Sequence, residues 1–327
     1  MLLHLGAGVG NIVLATPLLT ALRELGFEVD IALAADYPET AELLRPWNAV
    51  RTVFANREIV PANNYQYVLP AIPPFYWPRF AHRFRKGNNL LPRPSDRLFY
   101  QNEQAFYLSF ARTLGWDGPD PAVVLPIAPT QRADVTGCTL VLAPGCKTGE
   151  MAKKRWPYFP QLAEEFSDVF VVGTADDLCD GQGARFHFPA HVVNLTGRLS
   201  LRETAEVIAS AGAFVGNDSG LSHIAVAVGT PTVMIFGPTS ERVLGSFPAN
   251  VHIVRRGLRC EPCWRDERFG ACAGRIDCLA QITVDRVVCA LADLGFRASE
   301  RVFFADSEQP PETRCRGDLS QGSLRAD

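Results

Sequence analysis

The residues of this chain that could bind a phosphate group lie in four short loops that contain glycine. The loops follow predicted buried strands, at residues 6–11, 144–149, 217–222 and 237–240. Glycine lets the backbone approach a ligand closely, and the free N–H groups at a helix N-terminus attract phosphate. Two such loops close together in the second half of the chain favour a pyrophosphate ligand. For any single loop, the alternative is that an α/β sheet needs turn glycines.

Charged side chains beside two of these loops could act on a diphosphate. Lys154 can neutralise it as it departs, or it can be an ordinary solvated lysine. Asp218 can bind sugar hydroxyls, orient its loop or cap the following helix. His223 lies one turn into that helix, where it either contacts phosphate or packs in the core. Asp176 and Asp177 can contact a ligand or form a helix N-cap pair.

A separate set of cysteines, Cys260, Cys263, Cys272 and Cys278, has the spacing of a metal site. A Cys-x2-Cys pair followed by two further cysteines is typical of a tetrahedral thiolate site for zinc or iron. Four protein ligands would make that metal structural, because no position stays open for catalysis. Reduced structural thiols and disulfides are the alternatives.

Hydrophobic patterning predicts the elements that must position these loops. Strands alternate with helices, which indicates parallel α/β units whose ligands bind at the carboxyl ends of the strands. The first unit has predicted strands at residues 2–5, 28–34, 50–54 and 67–69, with helices at 11–25 and 103–115. The second unit has predicted strands at 139–143, 169–172, 192–194, 213–216 and 232–236, with helices at 157–166, 201–211, 221–228 and 283–294.

Composition restricts the class of protein. The chain has 327 residues, 47% of them hydrophobic and 20% charged, which is typical of a globular protein and excludes global disorder. No 18-residue run lacks charged or turn residues, so we expect no transmembrane helix. The net charge of −3 excludes a global field that attracts nucleic acid. The N-terminus shows no signal peptide, and we expect a cytoplasmic protein.

The predicted organisation is two domains and a tail. Residues 1–125 form an N-terminal domain, 126–137 a linker, 138–295 a C-terminal domain that includes the cysteine segment 260–278, and 296–327 a partly mobile tail. An aromatic and basic arm, residues 75–97, belongs to the first domain. Its Arg79 and Arg83 suit an anionic glycan, a lipid or a membrane surface; alternatively, the arm packs its aromatic side chains on its own domain.

Four motifs together resemble glycosyltransferase family 9, the ADP-heptose:lipopolysaccharide heptosyltransferase family, over about residues 2–295. The first is Gly10-Asn11-Ile12-Val13-Leu14-Ala15-Thr16-Pro17. The second is Pro144-Gly145 with Lys154-Arg155-Trp156-Pro157, and the third is Val172-Gly173-Thr174-Ala175-Asp176-Asp177. The fourth is Asn217-Asp218-Ser219-Gly220-Leu221-Ser222-His223 with Gly229-Thr230-Pro231 and Phe236-Gly237-Pro238-Thr239.

The resemblance implies a GT-B architecture, in which two Rossmann-like domains with parallel sheets face a central cleft. It implies inverting transfer of heptose from ADP-heptose to a lipopolysaccharide core or related glycan, without a catalytic metal, at the inner membrane surface. The implied catalytic residues are Asn11, Lys154 and Asp218. The implied donor-binding residues are Gly145, Lys147, Thr148, Lys154, Asp176, Asp177, Asp218, Ser219, Gly220, Leu221 and His223. The implied acceptor-side residues are Gly8, Gly10, Asn11, Arg79 and Arg83.

One position departs from the family pattern. Asn11 stands where the family usually has aspartate, its proposed catalytic base, and an amide does not accept a proton at useful pH. Either another group supplies the base, or Asn11 positions the acceptor or a phosphate, or activity is lost. The substitutes considered are His4, His82, Asp36 and Asp96.

Other functions remain open at this stage. The same motifs suit a protein acceptor or another nucleotide-sugar, and one protein-modifying branch of the family resembles this chain in carrying a four-cysteine iron site. Asn11 also suits a non-catalytic protein that binds nucleotide-sugars. The Gly-x-Gly-x-Gly loop with Asp36 suits a NAD-dependent oxidoreductase, although this spacing departs from the dinucleotide fingerprint.

Overall fold

Two parallel sheets organise the molecule. The computed structural model describes residues 1–35, 37–48, 50–55, 60, 64–81, 89–147, 149–264, 269, 272 and 276–297. The strands are β1 (Leu2–Ala7), β2 (Val29–Ala35), β3 (Val50–Phe54), β4 (Val68–Ala71), β5 (Leu140–Ala143), β6 (Val169–Val171), β7 (Val193–Asn194), β8 (Ala213–Asn217), β9 (Thr232–Phe236) and β10 (Val251–Arg255). The first sheet has the order β3-β2-β1-β4, and the second has the order β10-β9-β8-β5-β6-β7.

Helices cover the faces of these sheets. They are α1 (Val9–Leu14), α2 (Thr16–Glu24), α3 (Ala41–Leu44), α4 (Trp77–Phe80), α5 (Asp96–Gln101), α6 (Glu103–Thr113), α7 (Phe159–Glu164), α8 (Leu201–Ser210), α9 (Gly220–Ala227), α10 (Asp277–Ala280) and α11 (Val284–Asp293). Because helices lie on both faces, central strands such as β1, β5 and β8 are buried along their whole length. This pattern confirms the predicted α/β class.

The first predicted helix is two helices. The leucine spacing predicts one helix over residues 11–25, but α1 ends at Leu14 and α2 begins at Thr16. Pro17 has no N–H with which to bond the carbonyl of Val13, so a continuous helix would lose a hydrogen bond there. The Thr16 hydroxyl donates to that carbonyl instead, at 2.8 Å.

The helices α1 and α9 bring the two units together. A Cβ atom on Gly10 would lie 2.8 Å from Cδ2 of His223, and one on Gly220 would lie 2.8 Å from Cβ of Val9. Real Cβ atoms essentially never come this close to a neighbour, so both positions need a residue without a side chain. The carboxyl end of β1 and the N-terminus of α9 therefore meet at one point.

The aromatic arm packs largely on its own domain. Tyr76 and Phe80 are buried and stack on each other with ring centroids 6.1 Å apart. Phe75 is 44% exposed, and Arg79 is exposed with its guanidinium 5.2 Å from the centre of the Tyr76 ring. Arg83 lies outside the described residues. The alternative of packing on the same domain thus holds for Tyr76 and Phe80, whereas Phe75 and Arg79 are exposed.

No helix in the described part of the chain has the length and apolar character needed to cross a membrane. The domain boundaries at residues 125, 137 and 295 stay predictions.

Candidate active site

A buried ion pair lies at the N-terminus of α9. Lys154 Nζ donates to the carboxylate of Asp218 at 2.9 Å and also to its backbone carbonyl. His223 Nε2 lies 3.6 Å from the other carboxylate oxygen of Asp218. All three residues are buried. The fold therefore brings together Lys154, Asp218 and His223, which the sequence analysis placed at the donor site.

The charge of Asp218 is set by its neighbours. Burial by itself raises the pKa of this carboxyl group, but Lys154 and then His223 oppose the effect, and the resulting pKa is well below its usual value. Asp218 is therefore an anion at neutral pH, and Lys154 is the cation that compensates it. A ligand phosphate that approaches Lys154 must compete with this carboxylate.

The donor loop is held by the side chain of Asn217, at the end of β8. Its Oδ1 accepts from the backbone N–H of Trp156 at 2.9 Å, and its Nδ2 donates to the carbonyl of Pro144 at 2.7 Å. Asn217 is fully buried. One amide thereby fixes the loop after β5 to the segment that carries Lys154. Asn217 belongs to the fourth sequence motif, but nothing in that motif indicates this structural role.

A second buried ion pair supports the same loop. Arg155 donates to Asp177 at 3.0 Å, and Asp177 also accepts from the backbone N–H of Thr174 at 2.8 Å. Asp177 is thus occupied by the cap that the sequence analysis considered, while Asp176 is exposed. A Cβ atom on Gly145 would lie 2.1 Å from Cγ of Asp177. Gly145 is therefore required for packing against this pair.

The other predicted donor residues surround these pairs. Ser219, Gly220 and Leu221 form the partly exposed start of α9, and Lys147 is exposed in the loop after β5. Thr148 lies outside the described residues. Lys147 and the start of α9 are thus accessible from solvent, as a ligand-binding surface requires.

A carboxylic acid that the sequence analysis did not single out lies beside Asn11. Asn11 Nδ2 donates to Glu103 Oε1 at 2.7 Å, and its own Oδ1 accepts from the backbone N–H of Gly8 at 3.1 Å. The Tyr107 hydroxyl donates to the same oxygen of Glu103 at 3.1 Å. Burial raises the pKa of Glu103 to about 7. In sequence, the only signal was a glutamate in the first turn of a predicted helix.

The two alternative bases that the structure describes, His4 and Asp96, do not join this cluster. His4 lies in the middle of β1, paired with Ala32 and Pro70, away from the carboxyl end of the strand. Asp96 is an exposed residue that forms an ion pair with Arg93. Asp36 and His82 lie outside the described residues.

Two of the four cysteines, Cys263 and Cys278, lie next to the loop after β9. Cys263 N–H donates to the carbonyl of Pro238 at 2.9 Å, and the four cysteines are free thiols. Burial, then Glu261, then the thiols of Cys263, Cys272 and Cys260, raise the pKa of Cys278 to about 12. The thiols therefore share one neighbourhood. Within the described ranges, however, no three metal-ligating side chains are grouped closely enough to hold an ion.

Comparison with known proteins assigns the family. The model of glycosyltransferase family 9 (heptosyltransferase) matches residues 104–272, which is more than half of the chain. The chain belongs to this family. Lipooligosaccharide heptosyltransferase 2 of Haemophilus influenzae is 36% identical to this family 9 chain over 122 residues, which are 34% of the chain and 35% of that relative. The chain thus matches about a third of the length of this curated relative.

Solved structures agree on the fold. The E. coli ADP-heptose lps heptosyltransferase II superposes with a TM-score of 0.63 at 21% identity, covering 90% of this chain and 98% of that one. The dodecameric iron-containing heptosyltransferase TibC of E. coli, in complex with ADP-D-beta-D-heptose, gives a TM-score of 0.63 at 19% identity, covering 90% and 75%. With the two parallel sheets, these likenesses confirm the predicted GT-B architecture of this family 9 member.

Proposed function

We propose that this family 9 member transfers heptose from ADP-heptose onto a lipopolysaccharide core or a related glycan, with inversion and without a catalytic metal. The observation that carries the proposal is the buried Lys154–Asp218 pair at the N-terminus of α9. A cation and a helix N-terminus at the carboxyl ends of parallel strands are what a departing diphosphate requires. The family assignment supports heptose as the sugar.

The chemistry assigns separate roles to the two domains. In the C-terminal domain, Lys154 and the free N–H groups of residues 219–222 stabilise the charge that develops on the diphosphate. In the N-terminal domain, the loop at Gly8 and Gly10 faces the acceptor. A single displacement, with the acceptor hydroxyl on the opposite side of the sugar from the diphosphate, inverts the anomeric centre. A NAD-dependent reaction has no support from the family assignment.

The test of the donor is a thermal-shift panel with ADP, UDP, GDP, dTDP, ADP-heptose and NAD. We expect selective stabilisation by ADP and ADP-heptose, because a ligand that binds only the folded state raises stability by mass action. At about 100-fold excess over Kd the gain is about 2.7 kcal/mol, or several degrees in Tm.

Each other outcome of the panel has a defined meaning. Selective stabilisation by another nucleotide would reject ADP-heptose as the donor. Transfer to a heptose-deficient core is monitored by mass spectrometry of the acceptor. Binding of ADP-heptose without such transfer would favour a non-catalytic binding protein. No response to any nucleotide would reject the site.

The acceptor implies a location at the cytoplasmic face of the inner membrane. A lipid-linked core is held at a membrane surface, so the enzyme must reach it from the water phase. The exposed Phe75 and Arg79 of the aromatic arm supply one apolar and one basic side chain that suit such a contact.

We also propose that Cys260, Cys263, Cys272 and Cys278 take up a structural zinc or iron ion. Support comes from the shared neighbourhood of the four thiols and from the description of TibC as iron-containing. Elemental analysis of purified protein is expected to find about one zinc or iron per chain, since four thiolates complete a tetrahedral site. Cys263→Ser should remove the metal, and Cys138→Ser, an exposed cysteine outside the segment, should retain it. Metal-free wild-type protein would reject this site.

A further inference from the structure

The carboxyl group of Glu103 is buried where the two domains meet. Glu103 is the first residue of α6 and is 5% exposed. The Asn102 side chain caps this helix by accepting from the N–H of Ala105 at 2.9 Å, so Glu103 is not needed as the cap. Its side chain instead reaches Asn11, which lies 92 residues earlier in the sequence.

The hydrogen bonds leave one oxygen of this carboxyl group for another partner. Asn11 and Tyr107 both donate to Oε1, and neither of them binds Oε2. The orientation of the Asn11 amide is fixed, because the backbone N–H of Gly8 is a donor and must face Oδ1. Glu103 is therefore held in one position by two neutral donors.

Two charged residues, His223 and Asp218, act on the pKa of Glu103 in opposite directions. Burial raises its pKa to about 7; the hydrogen bonds from Asn11 and Tyr107 and the charge of His223 lower it, and Asp218 raises it further. Lys154 pairs with Asp218. Since no cation of the described residues pairs with Glu103, small changes in its surroundings shift its proton occupancy near neutral pH.

We propose that Glu103 is the general base that takes the proton of the acceptor hydroxyl during heptosyl transfer. This inference rests on the proposed function. As the hydroxyl oxygen bonds to the anomeric carbon, its proton passes to Oε2 of Glu103. The bond from that carbon to the diphosphate oxygen breaks, and its electron pair leaves with the nucleoside diphosphate. Solvent then removes the proton from Glu103.

The same geometry makes Asn11 a positioning residue. An amide at position 11 donates to Glu103 without adding charge, whereas a carboxylate there would lie 2.7 Å from Glu103 and the two would share a proton. The pair therefore consists of the amide of Asn11 and the carboxyl group of Glu103. The chain therefore retains a carboxylate at the cleft even though residue 11 does not supply it.

The test is Glu103→Gln, which keeps the shape and the acceptor oxygen of the side chain. We expect kcat to fall by about 100-fold or more, as for loss of a general base, with KM for the donor changed less than about threefold. Asp96→Asn is the matched control, because Asp96 is an acid of the same domain on the neighbouring helix α5, and it should keep wild-type turnover. A thermal shift with ADP confirms that each variant is folded.

Two further readouts separate catalysis from packing. In wild-type protein, kcat/KM should fall as pH drops through about 7, because a protonated base is inactive. The residual activity of Glu103→Gln should not show this decrease. The double variant Asn11→Asp/Glu103→Gln places the carboxylate on the other partner and should regain at least about tenfold over Glu103→Gln.

The outcomes distinguish this inference from the proposed function. If wild-type protein transfers heptose and Glu103→Gln keeps full turnover, Glu103 is not the base, and the transferase assignment stands. The base role would also be rejected by a combination of three results. Glu103→Gln loses turnover, kcat/KM of the wild-type protein does not fall with decreasing pH, and the double variant does not recover activity. If wild-type protein transfers nothing from ADP-heptose, the proposed function itself fails.

Discussion

Replacing Lys154 with Ala is expected to reduce heptosyl transfer by about 100-fold or more and to remove the stabilisation by ADP. Loss of one preorganised group that stabilises developing charge commonly costs about 100- to 1,000-fold in turnover. The change also leaves Asp218 as a buried anion beside His223, without the lysine that compensates its charge. Loss of one partner of a buried pair costs about 3–5 kcal/mol of folding free energy. Steady-state kinetics and urea denaturation measure the two effects.

Two comparisons separate the loss of catalysis from the loss of stability. Lys153→Ala removes the neighbouring lysine, whose Nζ lies 5.9 Å from the centre of the Phe269 ring; it should retain transfer. The double variant Lys154→Met/Asp218→Asn removes both charges and should regain most of the stability without regaining transfer. Full transfer by Lys154→Ala would exclude this lysine from the donor site.

Gly145→Ala is expected to destabilise the donor loop by several kcal/mol and to abolish nucleotide binding. The added Cβ would lie 2.1 Å from Cγ of Asp177, and the carboxyl group must move away from Arg155 to admit it. Overpacking costs about 1–3 kcal/mol, and disruption of a buried ion pair adds to that cost. Urea denaturation and ADP titration measure the result.

Gly137→Ala is the matched control, because a Cβ there meets nothing within 4 Å. It should leave both stability and ADP affinity near the wild-type values. The double variant Gly145→Ala/Asp177→Ala removes the atoms that clash and should recover part of the loss in stability. If Gly145→Ala bound ADP normally, the packing of Asp177 against this loop would not matter for the donor site.

Much of the fold follows from local pattern. The strand Thr232–Phe236 has the predicted bounds, because a buried parallel strand is a short apolar run that glycine or polar residues end. The strand Val50–Phe54 also has the predicted bounds, although its residues are exposed or only partly buried. The strand Val251–Arg255 was not predicted. It lies at the sheet edge and is only partly buried, so its sequence Val-His-Ile-Val-Arg lacks a continuous apolar run.

The candidate site likewise has one part that the sequence predicts and one part that it does not. Lys154 and Asp218 belong to motifs whose spacing along the chain indicates their role, and the fold pairs them. The contact of Asn11 with Glu103 joins residues 92 positions apart, and nothing near either residue encodes it. In sequence, Glu103 is indistinguishable from the many acidic residues that favour the first turn of a helix. Its role depends on the tertiary structure, which places the start of α6 beside Asn11 of α1.

The raised pKa of Glu103 couples folding to proton uptake. Between the ordinary value of 4.5 and about 7, the folded chain holds a proton that the unfolded chain has released. The free energy of unfolding therefore decreases as pH rises through this interval, and above it the folded state carries a constant penalty of about 3 kcal/mol. The contribution of this carboxyl group to stability is therefore most favourable in mild acid, where it is neutral, and it becomes unfavourable at the pH where the group is charged.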